Sequence, residues 1–170
     1  MLSHSRPLTI LLWLSIITAW LVSIFSVVEE MCLATACRDT ASFTIFGLGL
    51  GWFGIAYFTM ILILLWLRKK LYLLDWLLYA MVFSGVGSEF RLLWIQKYII
   101  GSWCPLCVTI CFALFVAAII LLTENVLIQK RGTASLKSGG KSPFYWWIAF
   151  VLTMAAAGLA VATVGVRALI

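Results

Sequence analysis

Long apolar stretches occupy most of the chain, and they constrain its fold more than any other sequence feature. A helix needs about 20 apolar residues to cross the roughly 30 Å of hydrocarbon in a bilayer. Runs such as Ile61 to Leu65 lack the alternation of a membrane β-barrel, so we predict an all-α membrane protein. The predicted transmembrane spans are Leu8–Val28, Thr44–Leu67, Trp76–Trp94 with a weaker extension to Ile100, Trp103–Thr123 and Phe144–Val166.

The composition excludes a soluble globular protein. Hydrophobic residues make up 65% of the 170 residues and charged residues 11%, whereas ordinary soluble domains have roughly 45–50% and about 25%. The formal net charge of +6 would favour nucleic-acid binding in a soluble chain. Here the basic residues stand in short clusters between apolar runs, so we expect a membrane-lipid environment and no nucleic-acid partner.

The chain divides into three predicted parts. Residues 1–123 form a four-helix transmembrane bundle, residues 124–143 a cytoplasmic linker, and residues 144–170 a fifth transmembrane helix. Within the linker, Gly132–Ser142 contains mostly Gly, Ser, Thr and Lys, which is typical of a flexible connection. We expect no chemistry there.

The basic residues predict the orientation, because cytoplasmic loops carry an excess of Lys and Arg. They concentrate in the N-terminal segment and in the connections 68–75 and 124–142, which are therefore expected in the cytoplasm. The connections 29–41 and 97–102 and the C-terminus are expected on the outer side.

A secretory signal peptide is the competing interpretation of the N-terminal segment. Ala34-Thr35-Ala36 before Cys37 has the small-residue pattern of a cleavage site. The first apolar run is longer than a signal-peptide core, however, and Glu29 and Glu30 precede the site. We therefore favour a first transmembrane span.

The positions of the five cysteines indicate redox chemistry. Cys32 and Cys37 fall in the first outward connection, and Cys104 and Cys107 form a CxxC motif where the fourth span begins. All four are expected on the oxidising side, where disulfides persist. A loop pair can exchange disulfides with a soluble thiol partner and then with a fixed pair at the membrane edge. The fixed pair would pass two electrons to a lipid-soluble acceptor, for which a quinone is the obvious candidate.

Proline in the CxxC indicates a helix start at Ser102–Pro105, since proline suits the first helical turn. Free N–H groups at a helix start stabilise a thiolate, which makes Cys104 the nucleophile of exchange. Cys107, three residues on, can close a short disulfide with it. Cys111 extends the same helical face and is either a small buried apolar residue or part of a cofactor pocket wall.

Other roles for the cysteines remain open. They could form a structural disulfide, a zinc site of four thiolates or a thiolate site for Cu(I). Haem attachment of the c type would need a histidine after Cys107, where Val108 stands. The functional alternatives are therefore a membrane metal transporter or sensor, which predicts a bound soft cation, and a structural bundle with inert disulfides.

Glu89 and Arg91 lie inside the third span, where ionisable residues are functional candidates by default. They are two residues apart and do not face each other on a regular helix. Arg91 is expected to extend to the outer interface. Glu89 either relays protons, two of which a quinone takes up with two electrons, or hydrogen-bonds between helices.

Aromatic and small residues near the outer side complete the candidate site. A quinone ring could contact Phe43, Phe46, Trp52 or Trp103, although a packed bundle would contain such residues anyway. Small residues at the start of the second span allow another helix to approach closely, within the bundle or at a dimer face. These residues are Gly47, Gly49, Gly51 and Gly54.

The cysteines and their neighbours resemble the vitamin K epoxide reductase (VKOR) family, in particular its bacterial disulfide-forming members. The resemblance covers about 8–123, with the loop pair first and the CxxC second. It rests on three features: the cysteines 32 and 37, the sequence Ser42-Phe43-Thr44-Ile45-Phe46-Gly47, and the sequence Trp103-Cys104-Pro105-Leu106-Cys107.

The resemblance implies a quinone-dependent, disulfide-forming oxidoreductase that crosses a bacterial inner membrane several times. Ubiquinone or menaquinone would be the electron acceptor. Cys32 would accept electrons from a thioredoxin-fold partner, and Cys37 would attack Cys104. Cys107 would lie against the quinone ring.

The chain also departs from the family pattern. The family's hydroxyl residue falls near Thr40 or Ser42, either of which could instead cap the second helix. Phe46-Gly47-Leu48-Gly49 stands where bacterial relatives often have Phe-Gly-Ile-Pro. Cys111 replaces a tyrosine of vertebrate members and Phe43 lies near an asparagine they use, which counts against reduction of vitamin K epoxide. Many bacterial relatives carry a thioredoxin-like domain after the fifth span, so the partner is expected in trans or on a removed C-terminal domain.

Overall fold

Five α-helices dominate the part of the chain that the computed structural model describes, which is residues 6–31, 43–45, 48–68, 72–101, 103–133 and 143–168. Four of them, all except the third, are long and apolar enough to cross a membrane. The prediction of an all-α membrane protein is therefore confirmed. The helices are α1 (Arg6–Met31), α2 (Leu50–Leu67), α3 (Tyr72–Ile95), α4 (Pro105–Thr133) and α5 (Pro143–Gly165).

The first four helices close into a bundle, and the fifth packs outside it. Helix α1 packs against α2 and α4, and α3 also packs against α2 and α4. Helix α5 lies along α3. The predicted arrangement of four helices plus one is thus present, and α3 is enclosed by protein on three sides.

Enclosure explains why α3 can carry ionisable residues within an otherwise apolar sequence. It carries Asp75, Glu89 and Arg91, and charged side chains at membrane depth are tolerated where they face protein rather than lipid. The π-helical turn Gln96–Ile100 continues it and ends at Gly101, whose positive φ of 74° suits glycine. The weak extension of the third span to Ile100 is therefore confirmed as a helical turn.

Close helix contacts depend on small residues. A side chain at Gly87 or Gly158 would collide with backbone of the facing helix, at Ala155 and Ser84 respectively, so α3 and α5 meet backbone to backbone. Gly51 and Gly54 likewise face α1, as predicted for packing within the bundle. The fully buried side chains at the centre come from α1 to α4 and include Leu12, Ile16, Phe58, Ile61, Leu78, Val82, Leu114 and Leu121.

A short antiparallel sheet of three strands lies where α2 begins and α5 ends. Its strands are β1 (Phe43–Ile45), β2 (Leu48–Gly49) and β3 (Val166–Ala168), in the order β2-β1-β3. Thr44 pairs with Gly49 on one side and with Arg167 on the other. The second span was predicted to start at Thr44, but α2 starts at Leu50. The predicted end of the fifth span at Val166 lies one residue past the end of α5. These segments pair their backbone groups between strands rather than within a helix.

At the opposite end of the bundle, α4 continues ten residues past the predicted end of its span at Thr123, to Thr133. It therefore covers the first part of the segment predicted as a linker, and residues 134–142 lie outside the described residues. The helix continues because Glu124 is buried against the bundle rather than solvated.

Glu124 belongs to a buried ion cluster that sequence reasoning missed. The Arg68 Nε donates to Asp75 Oδ1 at 3.0 Å, and its second terminal nitrogen donates to Glu124 Oε2 at 2.8 Å. The Arg68 side chain is only 2% exposed. Arg68 was predicted to be a loop charge, but it joins the end of α2 to α3 and α4. We call this end of the bundle the arginine end, and the end with the CxxC the cysteine end.

Candidate functional site: a thiol-lined cavity

The CxxC motif lies at the start of α4, as predicted. Pro105 is the first helical residue, and the Val108 N–H donates to the Cys104 carbonyl oxygen at 3.1 Å, which closes the first turn. Cys104 therefore occupies the N-cap position, where backbone N–H groups of the first turn have no partner within the helix. Cys107 lies in the first turn of the same helix.

The three cysteines of this region are in different chemical states. Cys104 is buried and forms a disulfide bond. Cys107 and Cys111 carry free thiols. The disulfide of Cys104 is therefore not closed within the CxxC, and its partner lies outside the described residues. The predicted loop pair, Cys32 and Cys37, also lies outside them.

A buried glutamine connects the two cysteines of the motif, and sequence reasoning missed it. Gln96 is the first residue of the π-helical turn and is 2% exposed. Its Oε1 accepts a hydrogen bond from the Cys104 N–H at 3.4 Å, and its side chain also lies within hydrogen-bonding reach of the Cys107 thiol. The available signal was a neutral polar residue in an otherwise apolar stretch before the CxxC.

A cavity of about 220 Å³ lies between the helices near the cysteine end. All five helices contribute to its wall, and the Cys107 side chain is part of it. The residues of α2 on this wall recur at intervals of three and four positions, as expected for one face of a helix. They are Leu50, Gly51, Phe53, Gly54, Tyr57 and Phe58.

The wall of the cavity is mainly apolar, and most of its hydroxyl groups are already engaged. Tyr57 and Ser84 both donate to the Met81 carbonyl oxygen. Ser88 lies within hydrogen-bonding distance of the carbonyl oxygens of Ser84 and Gly158.

Glu89 also lines this wall, but its carboxyl group differs from these hydroxyl groups in its hydrogen bonding. Its Oε2 is buried and has no hydrogen-bond partner among the described residues. It lines the same cavity as Cys107. A predicted functional residue of the third span and the second cysteine of the CxxC thus face one enclosed space.

Three of the residues predicted to contact a quinone, Trp103, Trp52 and Cys111, are absent from the wall of this cavity. Trp103 is 56% exposed and Trp52 is 51% exposed, and neither lines the cavity. Cys111 is buried but is also absent from the wall, because α4 turns Cys107, Ile110 and Leu114 toward the cavity. The structure places these three residues outside the wall of this cavity, and their contact with a quinone stays a prediction. The aromatic wall is formed by Phe53, Tyr57 and Phe58 instead.

Phe43 and Phe46 are the remaining aromatic residues predicted to contact a quinone. Phe46 lies outside the described residues. Phe43 is placed in β1, but its side chain is not described. Thr40 and Ser42, the candidates for the hydroxyl role or the helix cap, also lie outside the described residues.

The cavity reaches the outer surface of the bundle beside α5. Ala157 and Val161 are exposed and also belong to the wall, with Val161 50% exposed. Helix α5 is one of the four helices long and apolar enough to cross a membrane, so its outer face would lie against lipid and an apolar molecule could enter the cavity from that side. Arg91, the other ionisable residue of this part of α3, stacks its guanidinium over the Trp94 ring at 4.6 Å, an arrangement typical of a cation–π contact.

The described residues contain no group of three His, Cys, Asp or Glu side chains that could hold a metal ion. Fold and site together define a multi-pass helical membrane protein with a thiol at the wall of a buried, mainly apolar cavity. Comparison with protein-family models, curated proteins and solved structures finds no match to this chain.

Proposed function

We propose that the protein is a membrane thiol–disulfide oxidoreductase that oxidises a thioredoxin-fold partner and reduces a quinone. One observation carries the proposal: the free Cys107 thiol lines an apolar cavity while Cys104, its CxxC partner, is held in a disulfide outside the motif. This is the arrangement required when electrons enter the motif through one cysteine and leave through the other.

The exchange steps balance without any further reagent. The partner dithiol reduces a Cys32–Cys37 disulfide, and the Cys37 thiolate then attacks Cys104 Sγ in the Cys104–Cys107 disulfide. A Cys37–Cys104 bond forms and the Cys107 thiolate leaves. Attack of Cys32 on Cys37 then releases Cys104, so that the CxxC holds the dithiol. Oxidation of that dithiol back to a disulfide yields the two electrons and two protons that convert a quinone to a quinol.

The cavity suits the ring of a quinone in size and polarity. An apolar protein cavity of roughly 150 Å³ holds benzene, and this one has about 220 Å³. The extra volume accommodates the substituents and carbonyl oxygens of a quinone. Its opening beside α5 supports access from the lipid, where ubiquinone and menaquinone dissolve. By the excess of cytoplasmic basic residues, the cysteine end would face the periplasm or cell exterior.

The test is quinone reduction by purified protein supplied with a reduced thioredoxin-fold protein, with ubiquinone and menaquinone analogues compared. We expect turnover by wild type and by Cys111→Ala, whose side chain is outside the cavity, and none by Cys107→Ala. Absence of turnover in wild type with all quinones and partners would refute the proposal. A stoichiometric metal found by elemental analysis would then favour the metal-handling alternative.

A further inference from the structure

We propose that Glu89 is the catalytic acid that delivers a proton to a carbonyl oxygen of the quinone bound in this cavity. The inference rests on the proposed function and adds to it a residue for the proton half of the reaction. Quinone reduction consumes two protons as well as two electrons, and a site enclosed by helices must supply both.

The position of Glu89 is the first argument. Glu89 on α3 and Cys107 on α4 belong to the wall of one cavity. A molecule that contacts the Cys107 sulfur would therefore share an enclosed space with the Glu89 carboxyl group. The proton source and the electron source would act on the same ring.

The absence of a local partner is the second argument. Glu89 Oε2 has no hydrogen bond among the described residues, and those residues contain no ion pair to Glu89 either. Arg91, the nearest cation in sequence, is stacked on Trp94. A carboxyl group that served only to bind two helices would direct its oxygens at the facing helix, and Oε2 has no such contact.

The chemistry follows from this isolation. An unpaired carboxylate in an apolar cavity is costly, so the neutral acid is the favoured form. A neutral carboxyl group has one O–H donor, and a quinone carbonyl oxygen is an acceptor. Glu89 gives its proton to that oxygen and regains one of the two protons that leave Cys104 and Cys107. Its own proton count is unchanged over a turnover.

The experiment compares Glu89→Gln, which keeps the shape but cannot act as an acid, with Glu89→Asp, which keeps the acid. General acid catalysis contributes typically about 10²–10⁴-fold, so we expect kcat of Glu89→Gln to fall at least about 100-fold. We expect Glu89→Asp to recover part of that loss. A general acid must be protonated to act, so the fall of kcat at high pH that comes from deprotonation of Glu89 should be absent from Glu89→Gln.

Two further readouts separate a chemical role from a structural one. Formation of the Cys37–Cys104 disulfide, followed in the absence of quinone, should be unchanged in Glu89→Gln, because it precedes proton delivery. Quenching of tryptophan fluorescence by a quinone analogue should show retained binding. Lys97→Gln, which removes an exposed charge at the same end, is the matched control and should behave like wild type.

Failure of the inference is distinguishable from failure of the proposed function. If wild type reduces quinone and Glu89→Gln does so equally fast, Glu89 is not the acid although the oxidoreductase stands. Loss of binding in Glu89→Gln, with no recovery in Glu89→Asp, would also overturn the inference. A wild type that reduces no quinone removes the function on which the inference rests.

Discussion

Substitution of Glu124 by glutamine should destabilise the protein by about 3 kcal/mol. The change keeps the side-chain shape and removes the charge that accepts the 2.8 Å hydrogen bond from Arg68. Both side chains are 2% exposed, so solvent screens the interaction little. The arginine end of the bundle would lose the ion contact that joins the end of α2 to α4.

The magnitude follows from what remains after the substitution. Removing one partner of a buried ion pair costs about 3–5 kcal/mol, because the other charge is left uncompensated. Arg68 keeps its 3.0 Å contact with Asp75, which places Glu124→Gln at the lower limit. Arg68→Met removes both of these contacts, so we expect a cost near the upper limit of about 5 kcal/mol.

Thermal unfolding in detergent, followed by circular dichroism, measures this effect. A chain of this size loses about 2–4 °C of Tm per kcal/mol, so we expect Glu124→Gln to lower Tm by about 6–12 °C. Thr123→Val, a change of the same size at the neighbouring exposed position, is the control. A shift for Glu124→Gln no larger than that of the control would refute the argument, as would additive effects of Arg68→Met and Glu124→Gln in the double variant.

Three further predictions concern the cysteine end. In Cys107→Ser, the Cys104 thiolate can attack Cys37 in the Cys32–Cys37 disulfide, which forms a Cys104–Cys37 cross-link and releases the Cys32 thiol. This cross-link should accumulate, and a non-reducing peptide map without it would contradict the order of exchange. Ala157→Trp should block the opening beside α5 and abolish quinone reduction while the same cross-link still forms; undiminished turnover would show that quinone enters elsewhere. Gln96→Leu removes the acceptor of the Cys104 N–H. Leaving this buried donor unpaired costs about 1–3 kcal/mol, so the dithiol–disulfide equilibrium of the CxxC, measured in glutathione buffers, should shift. An unchanged equilibrium would count against a positioning role for Gln96.

Local signals in the sequence located the start of α4 and singled out Glu89. Pro105 placed the start of α4 because a proline at the first helical position needs no intrahelical N–H partner. Glu89 was singled out because an ionisable residue in an apolar run is costly unless it has a use. Neither inference required knowledge of the neighbouring helices.

The aromatic contacts could not be predicted in the same way. Their choice depends on the rotation of α2, which packs Gly51 and Gly54 against α1. In this rotation Phe53 and Tyr57 line the cavity and Trp52 is exposed. The pairing of β1 with β3, more than 120 residues apart in sequence, has no local signature.

The sequence by itself determined that this protein is a bundle of membrane-spanning helices with a CxxC at a helix start, because hydropathy and the preferences of proline act within a few turns. Only the tertiary structure decided that Cys107 and Glu89 share one cavity and that Arg68 is a buried cation between two carboxylates. Those outcomes depend on the rotation and depth of each helix against its neighbours. Close packing at Gly87 and Gly158 fixes α3 against α5, and packing at Gly51 and Gly54 fixes α2 against α1.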